Sequence, residues 1–436
     1  MHRTTKILNI TLLILAVITV FGIFSGPISS ADFWWHLKSG QYIWETQSLP
    51  STDPFSYTTD WDPIDRQMER NKDFTLKQAW LGQIIMYGIY RLFSFEGIIY
   101  LRAMLLTALI MLIYRSVRQE GVGLHASLLL IVPAIIIFSG FTPERPQLFS
   151  FLFFTLMVYV LERFRRTETR SLTPAPPSKY SQSTVYCLLS TVFIMLLWAN
   201  THGGFFLGII LLSVYFFAEL IKFVTGRFGT PLPPKSMKLL GITALSASLA
   251  SLINPNGYNV FIVLLERRHG VYRYLISETI STIEHIRMAL FGPELIMFLL
   301  LLFLCLIWFL VNIKRMDLTD ASAIIIFAGL GVYLFRLIPF FTPLAVLLIA
   351  RYKPGFPERF RPLQKNGGQA NRNDNHGREM RSDSSSRNKS DLTQLILSSL
   401  LSLILIFTLI RGSLFGGFVV TNIFHRDETI VSGKYP

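Results

Sequence analysis

Charged residues are scarce in this chain. Asp, Glu, Lys and Arg make up only 16% of 436 residues, against about a quarter in an ordinary soluble domain. With 51% apolar residues and a mean hydropathy of +0.45, that deficit excludes a soluble enzyme and a disordered chain. Cysteine is scarcer still. The two that occur, Cys187 and Cys305, lie in long apolar runs, where a thiol behaves as a small hydrophobe. They are too few to staple a fold of this length, so a disulfide scaffold is excluded. Also missing are a phosphate-binding Gly-rich loop, H-E-x-x-H, G-x-S-x-G and any repeat of fixed period.

What remains is a polytopic membrane chain. A net charge of +14 would point to nucleic acid in a soluble protein. Here Lys and Arg are read as topology, because they collect in cytoplasmic loops, and no nucleic-acid partner is expected. Apolar runs occur at about 7–24, 96–114, 124–141, 146–162, 183–200, 204–221, 238–253, 293–312, 321–337, 338–350 and 392–415. Each is near the roughly 20 residues that a helix needs to cross hydrocarbon. The expected fold is therefore all-α with about eleven transmembrane helices. The first run exceeds a signal-peptide core and reads as an anchor, although Ser29 and Ala31 have the spacing of a cleavage site.

With the N-terminus inside, well over half of the 41 Lys and Arg fall in cytoplasmic segments, among them Arg163, Arg165, Arg166, Lys222 and Arg351. The run 77–93 reads as an amphipathic helix on the outer surface, since a crossing there would turn the basic clusters outward. The expected organisation is a membrane core over 1–350 with outer loops at 30–95 and 254–292. A basic linker follows at 351–391, whose Asn-, Ser- and Arg-rich part at 364–391 reads as a disordered tether. A last span at 392–415 and an outer tail at 416–436 complete it.

This topology gathers the unusual residues on one face: "DFWWHL" (32–37), "PSTDPFSYT" (50–58), "RPQ" (145–147), "WANTHGG" (198–204), "NPNG" (254–257) and "RLIPFF" (336–341). Six polar clusters at helix ends on one side suggest a shared extracytoplasmic cavity. Trp, Pro, Asn and Gly also mark helix ends at any membrane interface.

The first outer loop carries eight of the 27 acids: Asp32, Glu45, Asp53, Asp60, Asp62, Asp65, Glu69 and Asp73. Asp60 and Asp62 make only a D-x-D, without calcium-loop spacing. Asp32 and His36 share one face of a short helix that Ser29 or Ser30 would cap. There Asp32 can accept a proton from an acceptor hydroxyl, join His36 in a two-ligand divalent-cation site, or serve as a helix cap. Arg145 and Arg336 stand at outer helix ends, where a guanidinium suits a lipid phosphate or snorkels to headgroups. Gln147 and Asn254 are further candidate binding groups. His202 is either a proton carrier or a satisfied interfacial polar residue. An outer segment at 264–292 mixes Arg267, Arg268, His269, Arg273, Glu278, Glu284, His285 and Arg287.

Taken in order, "DFWWHLKSGQYIWETQSLPSTDPFSYT", "RPQLFSF", "WANTHGGFFLG", "NPNGY" and "RLIPFF" resemble a family of bacterial polytopic proteins similar to C-type glycosyltransferases. That superfamily includes protein O-mannosyltransferases and lipid A aminoarabinose transferases. The resemblance covers roughly residues 7–350. It implies an outward-facing site in the bacterial plasma membrane, a sugar donor on a polyprenyl phosphate and an inverting transfer. It also implies an acid of the first outer loop, matched by Asp32, as base or cation ligand. Gln78 and Ala79 stand before Trp80 and Leu81, where the family often has His-Glu. Leu337 stands between Arg336 and Ile338, where it often has His. Relatives often continue into an outer soluble domain, and the tail after about Gly416 reads as the stump of one.

The sequence thus predicts an integral membrane glycosyltransferase. Asp32 would be its general base with His36 beside it. Arg145 and Arg336 would stabilise the leaving lipid phosphate, with Gln147, His202 and Asn254 on the substrate side. A transporter or flippase of lipid-linked glycans is the first alternative, and an inactive scaffold for envelope assembly the second. Few charges sit deep in the spans, Arg102 being the clearest, which favours surface chemistry over transport.

Overall fold

A computed structural model describes residues 2–55, 66–170, 180–266 and 280–352. Among them every regular element is helical. In chain order these are α1 (His2–Ile23), α2 (Asp32–Thr46), α3 (Arg66–Lys77), α4 (Trp80–Gln119), α5 (Leu124–Leu130), α6 (Val132–Ser139), α7 (Gln147–Arg170) and α8 (Tyr180–Thr201). There follow α9 (Phe206–Thr225), α10 (Pro234–Ala250), α11 (Asn259–Glu266), α12 (Thr282–Arg287), α13 (Pro293–Asn312), α14 (Leu318–Tyr333) and α15 (Ile338–Arg351). Single 3-10 turns occupy Gly203–Phe205 and Phe335–Leu337. The predicted tether, last span and tail lie outside the described residues, as do Asp60, Asp62, Asp65, Arg267, Arg268, His269, Arg273 and Glu278.

Each predicted run from 7–24 through 338–350 lies on a helix. Among the described residues, five stretches are long and apolar enough to cross a membrane: Thr4–Ile23, Glu69–Gln119, Gln147–Thr169, Gly203–Thr225 and Pro293–Asn312. The apolar helices at Leu124–Ser139, Leu189–Thr201 and Leu318–Tyr333 are shorter. Such a set is compatible with an integral membrane protein. The run at 124–141 divides into α5 and α6, with Pro133 in the first turn of α6, where a missing N–H costs nothing.

α4 breaks at Ser94 (φ 55°, ψ −153°), between the runs 77–93 and 96–114 that the sequence separates. The part before the break packs on α2. Gly40 of α2 meets the Gln83 carbonyl, where a Cβ would collide. Gly82 plays the same part toward Thr201, since a Cβ there would lie 2.8 Å from the Thr201 carbonyl oxygen and 2.9 Å from Pro146 Cβ. Two missing side chains thus let α2, α4 and the ends of α7 and α8 meet. The part after the break buries Ala103, Leu106, Ile110, Ile113 and Val117, a stripe at helical spacing. Phe154 of α7 meets Phe327 of α14 at 4.9 Å and Phe340 of α15 at 5.1 Å, so three apolar helices share one aromatic core.

The far end of α7 holds a buried ionic network that corrects two expectations. Arg165 pairs with Glu162 (2.8 Å), Glu219 (3.1 Å), Asp317 (2.8 Å) and Asp320 (2.7 Å). Lys222 pairs with Glu219 and Asp317, each at 2.8 Å. Arg351 joins Glu120 at 3.1 Å, Asp320 at 2.6 Å and Glu162. Arg165 and Lys222 are therefore not loop cations facing solvent. Each helix tolerates its buried charge because the partners on α9, α14 and α15 neutralise it. Arg102, the clearest deep charge in the sequence, is joined by Glu162, Arg165, Glu219 and Lys222, which are also buried. Glu162–Arg165 and Glu219–Lys222 are spaced as local helical pairs, but the links to Asp317, Asp320 and Arg351 join residues far apart in sequence.

Candidate functional site

α2 begins at Asp32, one short linker after α1. Its N-cap is Ala31, which has no side-chain cap bond, so the expected capping by Ser29 or Ser30 does not form. Both serines are used elsewhere. The Ser30 hydroxyl accepts a bond from Arg145 Nε at 3.0 Å. The amides of Ser29 and Ser30 donate to Glu144 Oε2 at 3.3 and 3.2 Å. Asp32 is also not paired with His36. Its Oδ2 lies 3.2 Å from Arg145 Nη1, and its side chain is 58% exposed.

His36, one turn further along α2, turns to α4. Gln83 Nε2 donates to its Nδ1 at 3.1 Å, and Trp35 packs edge-on against the ring at 5.1 Å. The ring proton therefore sits on Nε2. Burial, then the charges of His202 and Arg145, push His36 down to about 3.

His202 occupies the sharp turn between α8 and α9. Its Nδ1 accepts from the Gly204 amide at 3.1 Å and lies 2.7 Å from Ser150 Oγ. That hydroxyl in turn accepts from Trp198 Nε1 at 2.7 Å. The Gly204 amide can only donate, so this ring too carries its proton on Nε2. Burial, then Arg336 and Arg145, push His202 down to about 3. The ring is therefore held neutral near neutral pH. It is a hydrogen-bond donor through Nε2–H.

The charge of Arg145 bears on both His36 and His202, and that of Arg336 on His202, while Asp32 is paired with Arg145. Arg336 is exposed in the Phe335–Leu337 turn. That turn is braced by His285 of α12, whose ring stacks on Phe335 at 4.0 Å. Gln147 is half-buried at the start of α7. Asn254 is spent inside its own turn. Its Nδ2 donates to the Ser251 carbonyl at 2.7 Å, and its Oδ1 accepts the Asn256 amide at 2.8 Å. Nearby, Asn200 accepts from Trp80 Nε1 at 2.9 Å and donates to the Ile253 carbonyl at 2.7 Å. The Gln78 carboxamide packs over Gly203, beside the His202 turn.

A divalent cation does not fit the described residues. No group of three or more His, Cys, Asp or Glu is placed to hold one. Asp32 is engaged by a guanidinium, and His36 has its Nδ1 lone pair filled by Gln83. Among the described residues the Asp32 carboxylate is met by the Arg145 guanidinium, a charge-assisted contact.

Sequence reasoning missed Glu144, Ser150 and Gln83. Glu144 and Ser150 flank or follow "RPQ" in a run that reads as plain membrane helix. Gln83 sits mid-helix with no local signal.

No protein-family model matches the chain, and no curated protein does. Among solved structures, it is similar to the crystal structure of the Archaeoglobus fulgidus oligosaccharyltransferase tethered to an acceptor peptide containing the NVT sequon. The identity is 13% and the TM-score 0.44. The match covers 78% of this chain and 48% of that one, so the chain spans about half the length of that enzyme. At this level the likeness bears on neither activity nor substrate.

Proposed function

We propose that this chain is an integral membrane glycosyltransferase that moves a sugar from a polyprenyl-phosphate donor to an extracytoplasmic acceptor with inversion. The observation that supports this reading is the pairing of Arg145 with the exposed carboxylate of Asp32, with two imidazoles, His36 and His202, under the influence of Arg145. The acceptor hydroxyl attacks the anomeric carbon as Asp32 takes its proton. The bond from that carbon to the phosphate oxygen breaks, and the electron pair leaves with the lipid phosphate. In this reading Arg145 and Arg336 meet the charge that develops on the phosphate, with His36 and His202 beside it, which is how preset donors lower a barrier. The membrane is that of a bacterial cell, the N-terminus is inside, and the site faces out.

One observation favours a second reading. Glu162, Arg165, Glu219 and Lys222 are buried within α7 and α9, and buried charges of this kind also mark transporters of lipid-linked glycans. Reconstituted proteoliposomes separate the two. With radiolabelled lipid-linked sugars extracted from membranes, a transferase moves label from lipid to acceptor. A flippase moves intact donor between leaflets, and an inactive scaffold does neither.

A further inference from the structure

The Arg102–Glu144 ion pair is buried among apolar side chains. Met86, Ile98, Leu101, Leu105, Leu148 and Phe149 line a small cavity together with this pair and Arg145. Exchanging such a pair for apolar residues is often neutral or stabilising, so stability alone does not account for it. Its bonds go to one place. Arg102 donates through Nε to the Phe24 carbonyl at 2.9 Å and through Nη2 to the Gly26 carbonyl, just past the end of α1. Its Nη1 holds Glu144 Oε1. Glu144 Oε2 accepts the amides of Ser29 and Ser30. The pair therefore fixes both halves of the linker that leads into Asp32. Glu144 also immediately precedes Arg145, whose Nε is bound by that same Ser30.

We infer that Arg102 and Glu144 are positioning residues: they set the linker 24–30 and Arg145 in register, so that Arg145 meets Asp32 and presents its guanidinium to the lipid phosphate. This rests on the phosphate reading of the site. Neither residue needs to touch the ligand. Their effect passes through Arg145.

The test is binding of a long-chain polyprenyl monophosphate, in detergent micelles, to the full-length protein. Arg145→Gln removes a charged hydrogen bond and should weaken binding by about 10- to 100-fold. The double replacement Arg102→Met with Glu144→Met removes both buried charges but also the partners of the Phe24 and Gly26 carbonyls and the Ser29 and Ser30 amides, so it should melt lower than wild type. Measured below that melting temperature, its binding should weaken to a similar degree. Combined with Arg145→Gln it should weaken binding no further, because residues acting through one group are not additive. Wild-type binding by the double variant, or a triple variant weakened by the sum of both effects, overturns the inference. Wild-type binding by Arg145→Gln overturns the phosphate reading itself, and the positioning role falls with it. If the double variant does not fold, Glu144→Asp carries the test. It keeps both charges but withdraws the carboxylate from Ser29 and Ser30. Weaker binding at a native-like melting temperature supports the inference, and unchanged binding overturns it.

Discussion

Arg145 holds Asp32 through Nη1 at 3.2 Å while its Nε donates to Ser30 Oγ at 3.0 Å. One guanidinium therefore ties the mouth of α7 to the first residue of α2. Nothing local in either stretch demands this. It follows from where the linker after α1 is held.

The two site imidazoles make stability depend on pH in a defined sense. Each is held at about 3 in the folded protein and titrates near 6.5 when unfolded. Between those values the unfolded chain binds the extra proton, so stability rises with pH there and is complete above about 6.5. The melting temperature in detergent should fall as pH is lowered from 7 to 5. The fall should be shallower in His36→Gln and in His202→Gln. An equal slope in all three proteins would mean that neither ring is kept neutral by the fold.

Arg336 is exposed and lies in a surface turn, so its loss should cost little stability. If it meets a phosphate, Arg336→Glu should weaken polyprenyl-phosphate binding by about 10-fold or more, with a melting temperature close to wild type. A variant that binds normally but melts early would identify Arg336 as an interfacial anchor.

The topology predicts which side each helix end faces. In a background without Cys187 and Cys305, an impermeant maleimide added outside sealed cells should tag a Cys at Glu45. It should not tag a Cys at Lys314 until the membrane is opened. Labelling at Lys314 in sealed cells would turn the site inward.

Much of the architecture was legible because hydrophobic runs write their own length. The ten described runs lie on helices, and the division of α4 falls where charge topology separates 77–93 from 96–114. The approach of Asp32 and Arg145 lay within reach of the sequence, since both stand at helix ends on one predicted face. Their bonding did not. Asp32 shares a helical face with His36, yet the bond goes to Arg145, because the buried Arg102–Glu144 pair places Arg145 there. The tautomer of His202 is fixed by the Gly204 amide, a tertiary fact that spacing does not encode. Asn254 carries the polarity of a binding residue, but its carboxamide is used within its own turn.

The central claim is that Asp32 takes the acceptor proton, and one substitution tests it most directly. Asp32→Asn keeps the shape and removes the basic oxygen. The exposed pair with Arg145 contributes about 0–1 kcal/mol, so the variant should insert and melt like the wild type. Transfer of radiolabelled sugar from extracted lipid-linked donors, measured in proteoliposomes, should then fall by about 10²- to 10⁴-fold. Wild-type transfer by Asp32→Asn would contradict the account.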